Sequence, residues 1–365
     1  MHNNLILVIV VGTALAFDFT NGFHDTANVV ATSISTRAMA PRIAVGYAAV
    51  LNFAGAFISI AVAATIAQDV VAVDAITPTV VFAGLVGAIA WNLTTWYYGL
   101  PSSSSHALIG GMVGAAFVAA GPDAVLSDGV VGKVLVPAVI APVLAFVVGA
   151  VGIVICYRVV GRQRPGPVAR GYRLGQVVSG GLLALAHGTN DAQKTMGVIT
   201  LALIANGNLA PDSDPPTWVI VSAATAISLG TYSGGWRIIR TMGTRIIRMD
   251  PAQGFSAQGA GAAVILTSSH FGFPLSTTQV ISGGVMGAGA GKRVSAVRWG
   301  VAGNIVTAWL LTLPAAAAIG GLAYGLTRIF GTGALGPAII TVLGVALAAA
   351  VFTRRSRQRA PAPAG

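Results

Sequence analysis

Residues 183–199, LALAHGTNDAQKTMGVI, decide how this chain is read. His187, Asn190, Asp191, Gln193 and Lys194 lie inside it, yet LGQVVSGGLLA leads in and GVITLALIA follows, both suited to lipid. A charged side chain at the centre of a membrane helix costs about 2.5–3.5 kcal/mol on insertion scales. A segment carrying several polar groups must therefore turn them toward a cavity or toward one another.

That the surroundings are lipid follows from composition. The chain has 365 residues, 55% hydrophobic and only 8% charged, with a mean hydropathy of +0.80; soluble domains carry about 25% charged residues. Apolar runs cover 43–66, 79–100, 134–157, 217–234, 296–325 and 335–352, each near or above the roughly 18–20 residues that cross a bilayer as a helix. MHNNLILVIVVGTALAF has no basic leader and reads as a first helix. The lone Cys156 excludes a disulfide framework within the chain. The expected class is an all-α polytopic membrane protein that contacts lipid.

The net charge of +11 does not point to nucleic acid. Of 21 Lys and Arg residues, 18 fall in a few connectors and the tail, around 37–42, 158–173, 237–248, 292–298 and 354–359. The acids are all Asp, and six of the ten lie in the other connectors: Asp69, Asp74, Asp123, Asp128, Asp212 and Asp214. The positive-inside rule accounts for the split. It predicts an external N-terminus, a cytoplasmic C-terminus, and an aromatic belt of Trp91, Trp96, Tyr97 and Tyr98 at one interface.

Two pairs of segments mark a repeat. NGFHDTAN (21–28) aligns with HGTNDAQK (187–194), matching Gly22 with Gly188, Asp25 with Asp191 and Asn28 with Lys194. PSSSSHALIGGMVGAA (101–116) aligns with PLSTTQVISGGVMGAG (274–289), matching Ser105 with Thr278 and His106 with Gln279. The order is the same in both halves. With an odd number of crossings per half, the expectation is an inverted-topology repeat of about five plus five segments with broken or re-entrant helices, plus one C-terminal helix. The divisions are 1–157, a basic cytoplasmic linker at 158–175, 176–325, and an extra helix with an Arg-rich tail at 326–365. The short stretches 104–120 and 276–291 are candidates for re-entrant hairpins.

Asp18, Asn21, Asp25, Asn28, Thr32 and Ser35 are spaced 3, 4, 3, 4 and 3 and form one helical stripe. His187, Asn190, Asp191 and Lys194 share another face. Gly22 and Gly188 are placed to let each helix unwind beside its Asp. Ser102–Ser105 and Ser276–Thr278 stand where helices begin, so free N–H groups and hydroxyls offer many directional donors to a tetrahedral oxyanion; ordinary N-capping is the plainer use of the same residues. Carboxylates beside an anion make sense where cations or protons share the site. Together the two motifs imply cation-coupled anion symport, with Na⁺ held by carboxylate and amide oxygens, or H⁺ on Asp25, Asp191, His24 or His187.

DFTNGFHDTANVVATSISTRAM, WNLTTWYYGLPSSSSHALIGGMVG, LAHGTNDAQKTMGVI and GFPLSTTQVISGGVMGAG resemble the segments that mark the inorganic phosphate transporter (PiT) family, across roughly residues 5–325. The resemblance implies a secondary transporter of inorganic phosphate in the cell inner membrane, often a homodimer, that accepts arsenate as an analogue. It places phosphate binding on Ser103, Ser104, Ser105, Ser276, Thr277 and Thr278. It places coupling on Asp25, Asn28, Asn190 and Asp191, with His24, His187 and Lys194 beside them. Sodium-coupled members tend to carry Asn-Asp-x-x-Asn in both halves. Here the first half has His24-Asp25-x-x-Asn28 and the second Asn190-Asp191-x-x-Lys194. This is similar to bacterial low-affinity members, which are proton-coupled and thought to carry metal–phosphate complexes. Lys194 is expected to replace one Na⁺ as a fixed counter-charge, leaving H⁺ as coupling ion, with no cofactor and no resident metal. The alternatives are Na⁺-coupled phosphate symport, or permeation of sulfate or another oxyanion. An intramembrane hydrolase built on Ser104 or Ser105 with His106 and Asp25 is disfavoured because Gln279, which cannot act as a base, occupies the matching place.

Overall fold

The computed structural model describes residues 4–68, 70–72, 75–331 and 333–359. Asp69, Asp74 and the end of the expected tail, 360–365, lie outside them. The described residues form α1 (Asn4–Ser35), α2 (Pro41–Gly55), α3 (Ala61–Gln68), α4 (Pro78–Tyr98), α5 (Ser104–Ala120), α6 (Ser127–Gly129), α7 (Val136–Val160), α8 (Pro165–Ala205), α9 (Thr217–Ser233), α10 (Trp236–Arg240), α11 (Pro251–His270), α12 (Thr277–Lys292), α13 (Trp299–Ile329) and α14 (Leu335–Arg359). A π-helical turn at Val130–Leu135 joins α6 to α7. Among the described residues the only strand-like pairing is one bridge between Val71 and Val125. Among the described residues four helical stretches are long and apolar enough to cross a membrane: Asn4–Ser35, Pro78–Tyr98, Ser127–Val160 and Trp299–Ile329.

Three expectations are revised. The run 43–66 is not one span. It breaks into α2 and α3 because the chain is pressed onto α8 there: a Cβ on Gly55 would meet the Leu185 carbonyl oxygen at 2.2 Å. The freed N–H groups of Val62 and Ala63 donate to Gln193 Oε1 at 2.8 and 3.4 Å. The basic segment 158–175 is mostly helical, since α8 starts at Pro165 and continues unbroken through the motif to Ala205. Finally, Gly22 and Gly188 do not unwind their helices. Each admits a neighbouring backbone instead: a Cβ on Gly22 would meet the Ile227 oxygen at 2.2 Å, and one on Gly188 the Asn52 oxygen at 2.1 Å.

Packing crosses between the two stretches of chain. α5 rests on α13, where Gly110 and Gly114 face the carbonyls of Leu313 and Ala317. α12 rests on α7, where Gly283 and Gly287 face those of Pro142 and Phe146. Both pairs advance by four residues on each helix, one helical turn. Toward lipid, α7 presents Val139, Ile140, Val143, Leu144, Val147 and Val151, all exposed.

The basic connectors gather at one end. Arg173 Nε donates to the Thr36 carbonyl at 3.1 Å, and Arg298 to those of Thr244 and Arg245. Asp250 holds this end together. Its side chain and that of Gln253 form a capping box at the start of α11, and its Oδ2 accepts from Tyr157 of α7 at 2.5 Å and from Lys292 of α12 at 2.9 Å. Partial burial works to raise the Asp250 pKa. The hydrogen bonds from Tyr157, the Gln253 backbone and Lys292 outweigh it and hold the carboxyl below its ordinary value.

Two predictions follow from these contacts. Gly188→Ala puts a methyl group against backbone and should lower the melting temperature in detergent, with overpacking of this kind costing about 1–3 kcal/mol. Gly12→Ala, with nothing within 4 Å, should leave it unchanged or slightly raised. A depressed folded-state pKa stabilises above the unfolded value and less as pH falls through the folded one. The Asp250 contribution should therefore be complete above about pH 4 and disappear below it, and Asp250→Asn should remove that acid limb from a pH series of melts.

Candidate functional site

α1 brings His24, Asp25 and Asn28 inward, and α8 brings His187, Asn190, Asp191 and Lys194. The starts of α5 and α12 supply Ser103–Ser105 and Ser276–Thr278. All thirteen of these residues are brought together, and none is more than 4% exposed.

The centre is a pair of carboxylates sharing hydroxyl donors. Thr277 Oγ1 lies 3.3 Å from Asp25 Oδ2 and 3.1 Å from Asp191 Oδ2. One O–H can donate to only one of them. Asp25 Oδ1 also faces Ser104 and Thr278, both at 3.3 Å. Asn28 Nδ2 donates to Thr278 at 2.9 Å.

Each carboxylate has its own imidazole. His24 Nδ1 lies 2.5 Å from Asp25 Oδ1, and His187 Nε2 lies 3.0 Å from Asp191 Oδ2. His24 is oriented from behind by Thr95 at 3.2 Å and Ser102 at 3.4 Å; His187 by Asn52 Oδ1 at 3.2 Å, itself fixed by a 2.7 Å hydrogen bond to Thr231. Lys194 pairs with Asp191, and it donates to Ser105 Oγ at 2.5 Å and to the Leu275 carbonyl at 2.8 Å. With neutral imidazoles the two carboxylates outweigh the single ammonium by one negative charge. Protonating both imidazoles reverses the sign.

Ser103 and Ser276 have a second duty. Their oxygens accept from the N–H groups of His106 and Gln279 at 3.1 and 3.3 Å, so they are also the N-caps of α5 and α12. A capping hydroxyl still has its own hydrogen to donate. His106 and Gln279, matched in the sequence alignment, touch across the site at 3.4 Å. Asn190 Nδ2 donates to Ser269 at 2.8 Å and to the Phe273 carbonyl at 3.3 Å, which leaves its Oδ1 without a partner. The residues sequence reasoning missed are supporting ones: Asn52, Thr95, Thr231 and Ser269. Asn52 is a single polar residue within an apolar run and Thr95, Thr231 and Ser269 stand near other hydroxyls, which is a weak signal in each case.

One ligand atom from each of Asp25, His187 and Asp191 lies within 4.8 Å of the other two, a set that could hold a cation. On one flank a cavity of about 570 Å³ is lined by Leu126, Asp128, Gly129, Gly132, Lys133 and Phe273. The Lys133 ammonium stands 5.0 Å from the centre of the Phe273 ring. The segment around Phe273 and Leu275 thus has the cavity on one side and the hydrogen bonds of Asn190 and Lys194 on the other.

The model of the phosphate transporter family matches residues 21–320. The chain belongs to that family. A Mycobacterium bovis protein described as "Probable low-affinity inorganic phosphate transporter" is 57% identical over 89% of this chain and 78% of its own length. A Bacillus subtilis protein of the same description is 45% identical over 88% of this chain and 96% of its own. A solved structure, "The sodium-dependent phosphate transporter", superposes with a TM-score of 0.79 at 24% identity, covering 89% of this chain and 99% of that one. The chain is thus a multi-pass membrane transporter of inorganic phosphate and not an enzyme, so the hydrolase alternative falls.

Removing the ammonium should expose the cost of the buried acid. Lys194→Met leaves Asp191 with His187 and Thr277 as its remaining partners and should destabilise by about 3–5 kcal/mol. Adding Asp191→Asn should recover most of that loss, read as coupling in a double-mutant cycle of thermal melts.

Proposed function

We propose that the protein imports inorganic phosphate by proton symport. The observation that carries this reading is that the hydroxyls suited to an oxyanion, on Ser104, Thr277 and Thr278, are directed at Asp25 and Asp191. Phosphate oxygens and carboxylate oxygens are the same kind of acceptor and compete for the same donors. Phosphate gains those donors when protonation weakens the hold of the carboxylates on them. His24 and His187 are in place to take up protons with it, converting a repulsive centre into an attractive one. Release to the other side returns the hydroxyls to the carboxylates. Lys194, fixed on Asp191, occupies as a permanent charge a place that a sodium ion would otherwise fill.

Ser103, Ser104, Ser105, Ser276, Thr277 and Thr278 are assigned to phosphate, and arsenate should follow the same path. Asp25, Asn28, Asn190, Asp191, Lys194, His24 and His187 are assigned to coupling. The matching contacts of α5 on α13 and of α12 on α7 support an inverted repeat. The collection of arginines at one end supports a cytoplasmic C-terminus in the inner membrane, where the family resemblance implies a homodimer. A second reading, coupling to Na⁺ or carriage of phosphate as a metal complex, is favoured by the cluster of Asp25, His187 and Asp191 and by the sodium dependence stated for the structural relative. On that reading the cargo's cation rests on those three groups.

Uptake of labelled phosphate into proteoliposomes, with sodium, pH and magnesium gradients imposed separately, tests both readings. An acidic exterior should drive accumulation without sodium, and Asp25→Asn and Asp191→Asn should each abolish it. Uptake that requires sodium and ignores the pH gradient overturns the proton reading; uptake that appears only with magnesium assigns the cargo to the metal complex.

A further inference from the structure

The stripe on α1 carries one acid that the phosphate site does not use. Asp18 is fully buried, and both of its carboxyl oxygens lack a hydrogen-bond partner. Beside it stand Asn21 and Thr195, near enough to act on the carboxyl, yet their buried amide atoms and hydroxyl make no hydrogen bond of normal geometry. The described residues thus hold a pocket of orphaned polar atoms shared between α1 and α8, close to the phosphate centre but outside its hydrogen-bond network. Native interiors leave few such atoms, and each one calls for a cause.

Asp18 cannot serve as a structural anion here. An ionised carboxylate buried away from water is far too costly unless it is paired or hydrogen-bonded. The charged groups that act on it are Asp191 and Lys194 of α8, and these two neutralise each other. His24 and Asp25 follow on its own helix and are bonded to one another. The neighbouring helices α4 and α9 carry no acidic, basic or histidine side chain at all. Among the described residues no cation forms an ion pair with Asp18.

We propose that Asp18 is a proton-binding site, distinct from the Asp25–Asp191 centre, which takes up one proton from one aqueous side and releases it to the other in each transport cycle. The acid form supplies what the pocket lacks: a hydroxyl donor and a carbonyl acceptor for the Asn21 amide and the Thr195 hydroxyl. One O–H bond forms on loading and the same bond breaks on release, with no other reactant. Thr195 follows Lys194 in sequence, so the pocket and the phosphate centre share one helical segment. A change in either must pass through α8. The proposal rests on the proton-coupled reading above.

Infrared difference spectra of the purified protein in lipid, together with uptake in proteoliposomes, test it. The wild type should show a protonated-carboxyl band that is missing in Asp18→Asn and unaffected when potassium is replaced by sodium. Identical spectra for the two proteins, or a band that sodium abolishes, overturn the proposal. In transport, Asp18→Asn should still exchange phosphate for phosphate at equal pH, which shows that it is folded. Its accumulation under a gradient of one pH unit should fall about tenfold, the factor one proton supplies, and Asp18→Glu should restore most of the loss. If wild type and Asp18→Asn respond equally to the gradient, the proton-coupled reading stands and Asp18 has no part in it. If the wild type itself ignores the gradient, that reading fails, and the transport role of Asp18 fails with it.

Discussion

Charge in a low-dielectric interior must be answered locally, and the whole molecule is arranged around that requirement. Two carboxylates meet near the middle of the chain's longest buried segments, and one threonine hydroxyl stands between them. An ammonium, two imidazoles and the beginnings of two helices complete the set. None of these groups is affordable alone in lipid. Their joint presence demands that α1, α8, α5 and α12 converge, and the glycines that let backbones touch are the means by which they do.

The same demand explains which polar residues are structural. Gln193 sits in the motif that looks most chemical, yet it tethers the start of α3 by accepting its free N–H groups. Asn52, in an otherwise apolar helix, orients His187. Asp250, outside the Asp25–Asp191 centre, joins three helices at the basic end. Several polar groups in this protein thus orient another polar side chain or secure a helix end that lipid would leave bare.

Much of this was legible in the sequence because charge in an apolar run is rare and conspicuous. Asp25, Asp191, Lys194 and the two hydroxyl clusters could be found from composition and self-alignment, and they do meet in space. The break between α2 and α3 could not be found that way. The run 43–66 is almost wholly apolar, and where the helix ends the chain is pressed against α8, more than a hundred residues away in the chain. The roles of Gly22 and Gly188 were misjudged for a related reason: a glycine beside a functional acid suggests flexibility, whereas here it marks a close crossing. Long-range packing leaves little local trace, whereas buried charge leaves a strong one.

The interleaving of α5 with α13 and of α12 with α7 has a mechanical consequence. Each of these serine-capped helices is pressed against the closing helix of the opposite stretch, carbonyl against glycine. Tilting one stretch would drag the other's hydroxyl-bearing helix start along with it. The two helix beginnings are therefore constrained to move together with those closing helices rather than independently of them.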